Sequence, residues 1–172
     1  MPVLINACST EWGWVGIAVS ADGLLATTLP RATPDDALSP LLRRWPHAVQ
    51  GSTPRLTDLQ RKLQSYFLGE PVDFRREVLD TSHATEFELR VWSCVRAIPR
   101  GEVRSYGWVA RQTGSPRAAR AVGRVMATNP VPIIVPCHRV VGHNGQLTGF
   151  GGGLVMKRRL LDLEAGSPGE VP

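Results

Sequence analysis

The chain has only three cysteines, Cys8, Cys94 and Cys137, too few and too widely spaced for a disulfide framework. An odd, sparse set fits a reducing compartment, so a cytoplasmic protein is expected. No CxxC pair occurs, and His47, His83, His138 and His143 lack zinc-type spacing. A structural zinc is therefore not expected, and nothing calls for another metal or a cofactor. Long apolar runs are also missing. None approaches the roughly 20 residues that a membrane span needs, so no membrane partner is expected. The opening MPVLINACSTEWGW has no basic leader ahead of a long apolar stretch, which argues against a secretory signal. Internal repeats and low-complexity tracts are absent too. Carboxylates become scarce late in the chain: beyond Glu102 there are only Asp162, Glu164 and Glu170.

What is present is enough for a core. The chain has 172 residues, 42% of them hydrophobic, which suits one ordinary domain or two small ones. Charge is split unevenly. Residues 1–80 carry 8 Lys+Arg against 9 Asp+Glu, whereas residues 81–172 carry 12 against 6. A basic half joined to a near-neutral half points to a polyanion for the second half, or to no more than a soluble basic surface.

Local patterns divide the chain in the same place. WGWVGIAVSADGLLATTL reads as a hairpin turning at Asp22-Gly23, and a loop rich in proline (Pro30, Pro34, Pro40) follows. In TPRLTDLQRKLQSYFLG, Leu56, Leu59, Leu63 and Phe67 recur at helical spacing and Gly69 stops the helix. EPVDFRREVL reads as a further strand or an extended link. The second half opens with a helix carrying Phe87, Val91, Cys94, Val95 and Ile98 on one stripe, halted by Pro99 and Gly101. RSYGWVARQTG is a short helix closed by Gly114. SPRAARAVGRVMATN is a second, with Ser115 as N-cap and Pro116 at its first position. Two short helices around a glycine turn form a helix-turn-helix signature, and KRRLLDLEAG closes the set as a last helix. The fold class expected is α/β: a small N-terminal α/β domain of sheet plus helix (1–80), then a mainly helical C-terminal domain (81–172). The composition of the tail GSPGEVP predicts no order there.

Two stretches carry chemistry. Arg117, Arg120 and Arg124 fall at spacings of 3 and 4, with the small Ala118, Ala119, Ala121 and Gly123 between them. Such a face lets a backbone approach a groove while arginines reach phosphates, although a solvated arginine face has the same pattern. A mid-helix glycine costs ~1 kcal/mol relative to alanine, which favours the close-approach reading. The other stretch is NPVPIIVPCHRVVG, in which Pro130, Pro132 and Pro136 stiffen the backbone ahead of Cys137. A free thiol is only a few per cent ionised at neutral pH. His138 could take its proton. Neighbours on extended backbone point apart, so the proton would pass through water. Glu164 is a candidate third member that orients His138. Against this stands a buried structural cysteine, the better reading for Cys8 and Cys94.

PCHRV, preceded by NPVPIIV and followed by GGG and KRRLLDLE, resembles the O6-alkylguanine-DNA alkyltransferases. TEFELRVWSCVRAIPRGEVRSYGWVA and SPRAARAVG are similar to earlier blocks of that family, so the likeness runs over residues 82–166. The N-terminal half fits it loosely. The resemblance implies direct reversal of DNA damage: one irreversible transfer of an alkyl group from O6-alkylguanine, and from O4-alkylthymine, to the protein's own cysteine. The base would first be flipped out from the minor groove. Cys137 would be the acceptor, His138 its base through water and Glu164 the anchor of His138. Tyr106 would hydrogen-bond the guanine, and Asn129 would hold the turn before the active segment. Arg120 would enter the duplex in place of the base. Ser105, Arg117, Ala118, Ala119, Ala121, Gly123 and Arg124 would contact DNA. Val140, Phe150, Gly151 and Gly152 would form the base pocket. The partner implied is double-stranded DNA containing O6-alkylguanine, bound by a monomer, with cooperativity along DNA left open. Phe150 stands where many members have tyrosine, and Ala127 where some have a basic residue. Two rivals compete with this: a Cys-His-Glu hydrolase, which leaves the basic helix unexplained, and a module that binds alkylated DNA without repairing it. Relatives of the latter kind carry tryptophan at the position of Cys137.

Overall fold

A computed structural model describes residues 1–166; the predicted tail lies, from residue 167 on, outside the described residues. The chain forms two compact units, Met1–His83 and a second beginning at Ala84.

The first unit is built on a four-stranded sheet in the order β3-β2-β1-β4. β1 (Leu4–Thr10) and β2 (Gly13–Val19) pair antiparallel, β2 and β3 (Leu24–Thr27) pair antiparallel, and β4 (Val49–Gln50) runs parallel to β1. The expected hairpin is β2–β3, turning through Ser20–Gly23. Val15, Gly16, Ile17, Ala18 and Val19 of β2 are buried without alternation, because helices cover both faces of the strand. On one face, α1 (Pro34–Arg44) lays Leu38 and Leu41 against Ile5, Ala18 and Ala26. It packs so closely over Gly16 that a Cβ there would collide with the carbonyl of Ala37. On the other face lies α2 (Pro54–Phe67), which buries Leu56, Leu59, Leu63 and Phe67 as the spacing predicts and ends before Gly69 (φ 89°).

The proline-rich loop is a correction: residues 34–44 are helical. Thr33 caps the backbone N–H of Asp36, Pro34 sits in the first turn where no N–H is needed, and Asp35 and Asp36 complement the helix dipole. Pro40 lies inside the helix and leaves the carbonyl of Asp36 without its usual donor, but Asp36 is exposed and water can serve. EPVDFRREVL is an extended link whose only ladder contact is the bridge Leu24–Leu79.

The second unit is mainly helical. α3 (Glu86–Arg96) starts with a capping box between Thr85 and Glu88 and buries Val91, Trp92 and Val95. Phe87 and Cys94, expected on the same stripe, are only half-buried, and Trp92 takes the central place. β5 (Arg104–Ser105) leads directly into α4 (Tyr106–Gln112), capped by the Ser105 hydroxyl on the N–H of Trp108. After a turn, α5 (Ala119–Ala127) buries Val122, Val125 and Met126. β6 (Val140–Val141) pairs parallel with β5, and α6 (Leu154–Glu164) closes the unit. The start of α5 differs from expectation. Ser115 caps no helix; its carbonyl accepts from Ala118 N–H in a turn, so Arg117 and Ala118 precede the helix and Arg117 does not share the face of Arg120 and Arg124. No helix among the described residues is long and apolar enough to cross a membrane.

Candidate active site

The β5–β6 pairing sets the site. It places Ser105, and with it the first turn of α4, beside Val141, four residues after Cys137. The segment leading to Cys137 is held by its own turns. Asn129 Nδ2 donates to Val135 O (2.8 Å) and its Oδ1 accepts from Val131 N–H (3.0 Å). Ile133 inside this loop is buried with φ 75°, a conformation that costs a β-branched residue about 1–3 kcal/mol. The surrounding bonds must over-determine it.

Cys137 is not on extended backbone. Its N–H donates to Val135 O (2.8 Å) across Pro136 (φ −79°, ψ 67°), an inverse γ-turn, and Cys137–Arg139 then form a single 3-10 turn. This corrects the sequence reading, in which extended neighbours point apart. Cys137 is 4% exposed. Burial pushes the thiol up, against a hydrogen bond from Asn129 and the positive charge of Lys157.

His138 is fully buried, and its Nε2 lies 2.7 Å from Glu164 Oε1. Arg139 binds the same carboxylate through Nε (2.9 Å, to Oε2) and Nη2 (2.9 Å, to Oε1), while its Nη1 donates to Ile98 O (2.7 Å). Burial would raise the Glu164 carboxyl, but hydrogen bonds from His138 and Arg139 outweigh it and hold the group well below the usual range. Glu164 is therefore ionised, so Nε2 carries the ring proton and Nδ1 is the basic nitrogen. Burial holds His138 below its ordinary value, partly opposed by Glu164.

Sequence reasoning missed Lys157. It is buried seven residues before Glu164, on the same stripe of α6 as Leu160. Its Nζ donates to Val140 O (2.7 Å) and Thr148 O (3.0 Å), and stands 5.7 Å and 6.0 Å from the ring centroids of Tyr106 and Phe150. A lysine at helical spacing from the candidate glutamate was the available signal. Tyr106 donates its hydroxyl to the same Thr148 carbonyl (3.1 Å), and burial raises its pKa.

A cavity of about 760 Å³ opens between α4, α5 and the turn at His143–Gly145. Tyr106, Gly107, Arg120, Gly123, Arg124, His143 and Thr148 are among its lining residues. Ser105 and Ala119 line it too, whereas Cys137, Val140, Phe150, Gly151 and Gly152 do not. The backbone of Val140 is already engaged: its N–H donates to Cys137 O and its carbonyl accepts from Lys157. Gly123 faces open space, since an added Cβ would meet nothing within 4 Å. The chain's own packing does not require the glycine.

Residues 86–166 match the family described as 6-O-methylguanine DNA methyltransferase, DNA binding domain. The chain is 55% identical over 103 residues to a methylated-DNA–protein-cysteine methyltransferase of Mycobacterium leprae, an alignment that covers 60% of this chain and 61% of that protein. It thus spans about three fifths of the length of that relative. It is 42% identical over 125 residues to the constitutive enzyme of that name from Bacillus subtilis, covering 70% of this chain and 74% of the relative. In structure it resembles Mycobacterium tuberculosis OGT in complex with DNA, with a TM-score of 0.78 at 37% identity, over 96% of this chain and 94% of that one.

Proposed function

From the premise that the chain belongs to the methylated-DNA–protein-cysteine methyltransferase family, we propose that it repairs DNA by moving an alkyl group from O6-alkylguanine, and from O4-alkylthymine, onto Cys137. The observation that carries this reading is the buried contact of 2.7 Å between His138 and an ionised Glu164, immediately after a thiol. An imidazole oriented in this way has its basic nitrogen available for the thiol proton, directly or through one water.

The transfer balances simply. The Cys137 thiol gives its proton to His138 or to water. A sulfur lone pair then forms the S–C bond while the C–O6 bond breaks and its electron pair stays on guanine, which takes up a proton and becomes ordinary guanine. The thioether has no route back, so each chain acts once. Tyr106 assists by hydrogen-bonding the base as negative charge builds on it. Chemistry on a base inside a duplex needs the base extruded, at a cost of a few kcal/mol. Arg120, exposed on α5 at the cavity, fills the vacated space, and Arg124 with the small Ala119 and Gly123 meets the minor-groove backbone. Entry of the base separates the Tyr106 hydroxyl from Thr148 O. Ser105, Ala121, Arg117 and Ala118 border the DNA, and Phe150, Gly151 and Gly152 form one wall for the base.

The test is adduct mapping. After incubation with a duplex containing O6-methylguanine, the peptide carrying Cys137 gains the mass of one methylene, in at most one copy per chain, and Cys137→Ser binds the duplex without gaining it. Turnover of many substrates per chain, or an unmodified Cys137 beside repaired DNA, would sink this reading.

A further inference from the structure

The buried charges of the second unit do not balance among themselves. Glu164 is fully engaged by Arg139 and His138, and burial disfavours charge on that imidazole. Lys157 remains, 0% exposed, with carbonyl oxygens as its hydrogen-bond acceptors and with no carboxylate bonded to it among the described residues. An ammonium has three N–H donors, and two are accounted for. Tyr106 from α4 and Phe150 from the loop before α6 face it, and through Val140 it holds the end of the 3-10 turn that begins at Cys137: it binds the Val140 carbonyl while the Val140 N–H donates to Cys137 O, and the thiol and His138 feel its charge. Of these, the thiol is the group whose ionisation supplies the missing negative charge. The choice of residue is also telling. The chain has 18 arginines and two lysines, Lys62 and Lys157, and a buried lysine can shift its protonation state where arginine cannot.

We propose that Lys157 is the counter-charge of the Cys137 thiolate and the positioning residue that ties Val140 and Thr148 around it. This rests on the reading of Cys137 as the alkyl acceptor. While the sulfur is ionised, the ammonium has a charged partner. Once the sulfur is alkylated it can carry no charge, and Lys157 is left with carbonyls and ring faces alone. Burial lowers the lysine while Cys137 raises it, and Lys157 in turn draws the thiol down. Such coupling is reciprocal, so each group reports the other.

The experiment reads both ends. The ultraviolet absorbance of the Cys137 thiolate, taken as wild type minus Cys137→Ser, is followed against pH in the wild type and in Lys157→Met. The inflection is expected to rise by about one pH unit or more in the variant, a factor of ten in thiolate fraction. An unchanged inflection in a folded Lys157→Met overturns the proposal. Should that variant fail to fold, the wild-type chain suffices. Nitrogen-15 NMR of the lysine Nζ, with Lys62 as internal control, follows Lys157 before and after methylation of Cys137 by methyl iodide. Its pKa is expected to fall by a similar amount, and no change overturns the proposal. Neither readout uses damaged DNA, so a wild type that takes no methyl group from O6-methylguanine defeats the repair function while leaving this coupling measurable. A chain that repairs with both titrations flat defeats the coupling alone.

Discussion

Cys8 and Cys137 are both buried thiols, one in each unit, and their surroundings differ. Burial pushes Cys8 up to about 11, and its thiol donates to the carbonyls of Ser9 and Gln60, each at 3.7 Å. Burial pushes Cys137 up as well, but there an asparagine side chain and a lysine charge act in the opposite direction. The units differ in the same way as wholes. Pairs such as Arg61–Asp58 and Arg75–Asp73 in the first stand in water, where ion pairs contribute little. The second unit places His138, Arg139, Lys157 and Glu164 in its core. Removing charges from water costs more than their attraction returns unless every partner is in place. A core that carries such a cost marks a candidate site for chemistry, whereas one filled by Leu, Ile and Phe serves stability.

The sharpest way to break that contrast is to remove one carboxylate from each unit. Glu164→Gln leaves the Arg139 guanidinium buried without its anion. It is expected to lower unfolding free energy by about 3 kcal/mol and to abolish alkyl transfer. Asp58→Asn, which removes the partner of Arg61 and Lys62 at the surface, is expected to leave the denaturation midpoint and transfer unchanged. Equal losses from the two variants, read by urea unfolding, would show that the buried cluster has no special standing.

Acid gives a finer version of the same comparison. His138 is held below its ordinary value, so the fold prefers it neutral. Its contribution is complete above the unfolded value of about 6.5 and is lost as pH falls below that. Glu164 is also held low, so its contribution is present above about 4.5 and is lost as pH falls further. Stability should therefore fall in two stages on acidification. His138→Gln should remove the first stage and keep the second. A first stage that survives the substitution would assign it elsewhere.

How much of this the sequence discloses follows the same divide. The β2–β3 hairpin, α2, α3 and α4 are legible because period, caps and stops agree. The first helix is hidden because Pro40 breaks the local rule and an exposed Asp36 carbonyl tolerates the breach. The start of α5 is misplaced because Ser-Pro is equally good as a tight turn. In the site, Cys137, His138 and Glu164 stand out from the pattern. The 3-10 turn under Cys137 does not, since it depends on where Val135 and Asn129 put their hydrogen bonds. Lys157 is passed over because a lysine in KRRLL reads as surface, and only tertiary packing turns it inward.

Arg120 tests the proposal that the cavity face of the second unit opens DNA and does not merely attract it. It is exposed and lines the cavity. Arg120→Ala is expected to slow repair of duplex substrate about tenfold, near 1.4 kcal/mol. Transfer from a free alkylated base should be unaffected, because no extrusion is needed there. Equal slowing of both substrates would mean that the arginine serves the chemistry and not the opening of the duplex.

The smallest change separates stability from function on one helix. Gly123 sits in the middle of α5, where glycine costs about 1 kcal/mol relative to alanine. A Cβ at this position meets nothing within 4 Å, so nothing inside the protein offsets that cost. Gly123→Ala is therefore expected to raise unfolding free energy by about 0.5–1 kcal/mol. If α5 meets DNA as proposed, the added methyl holds the backbone off the groove. DNA affinity should fall several-fold while its salt dependence stays the same, because no charge has changed. A variant that is more stable and binds as well as the wild type would make the glycine incidental, and with it the close approach of α5 to DNA.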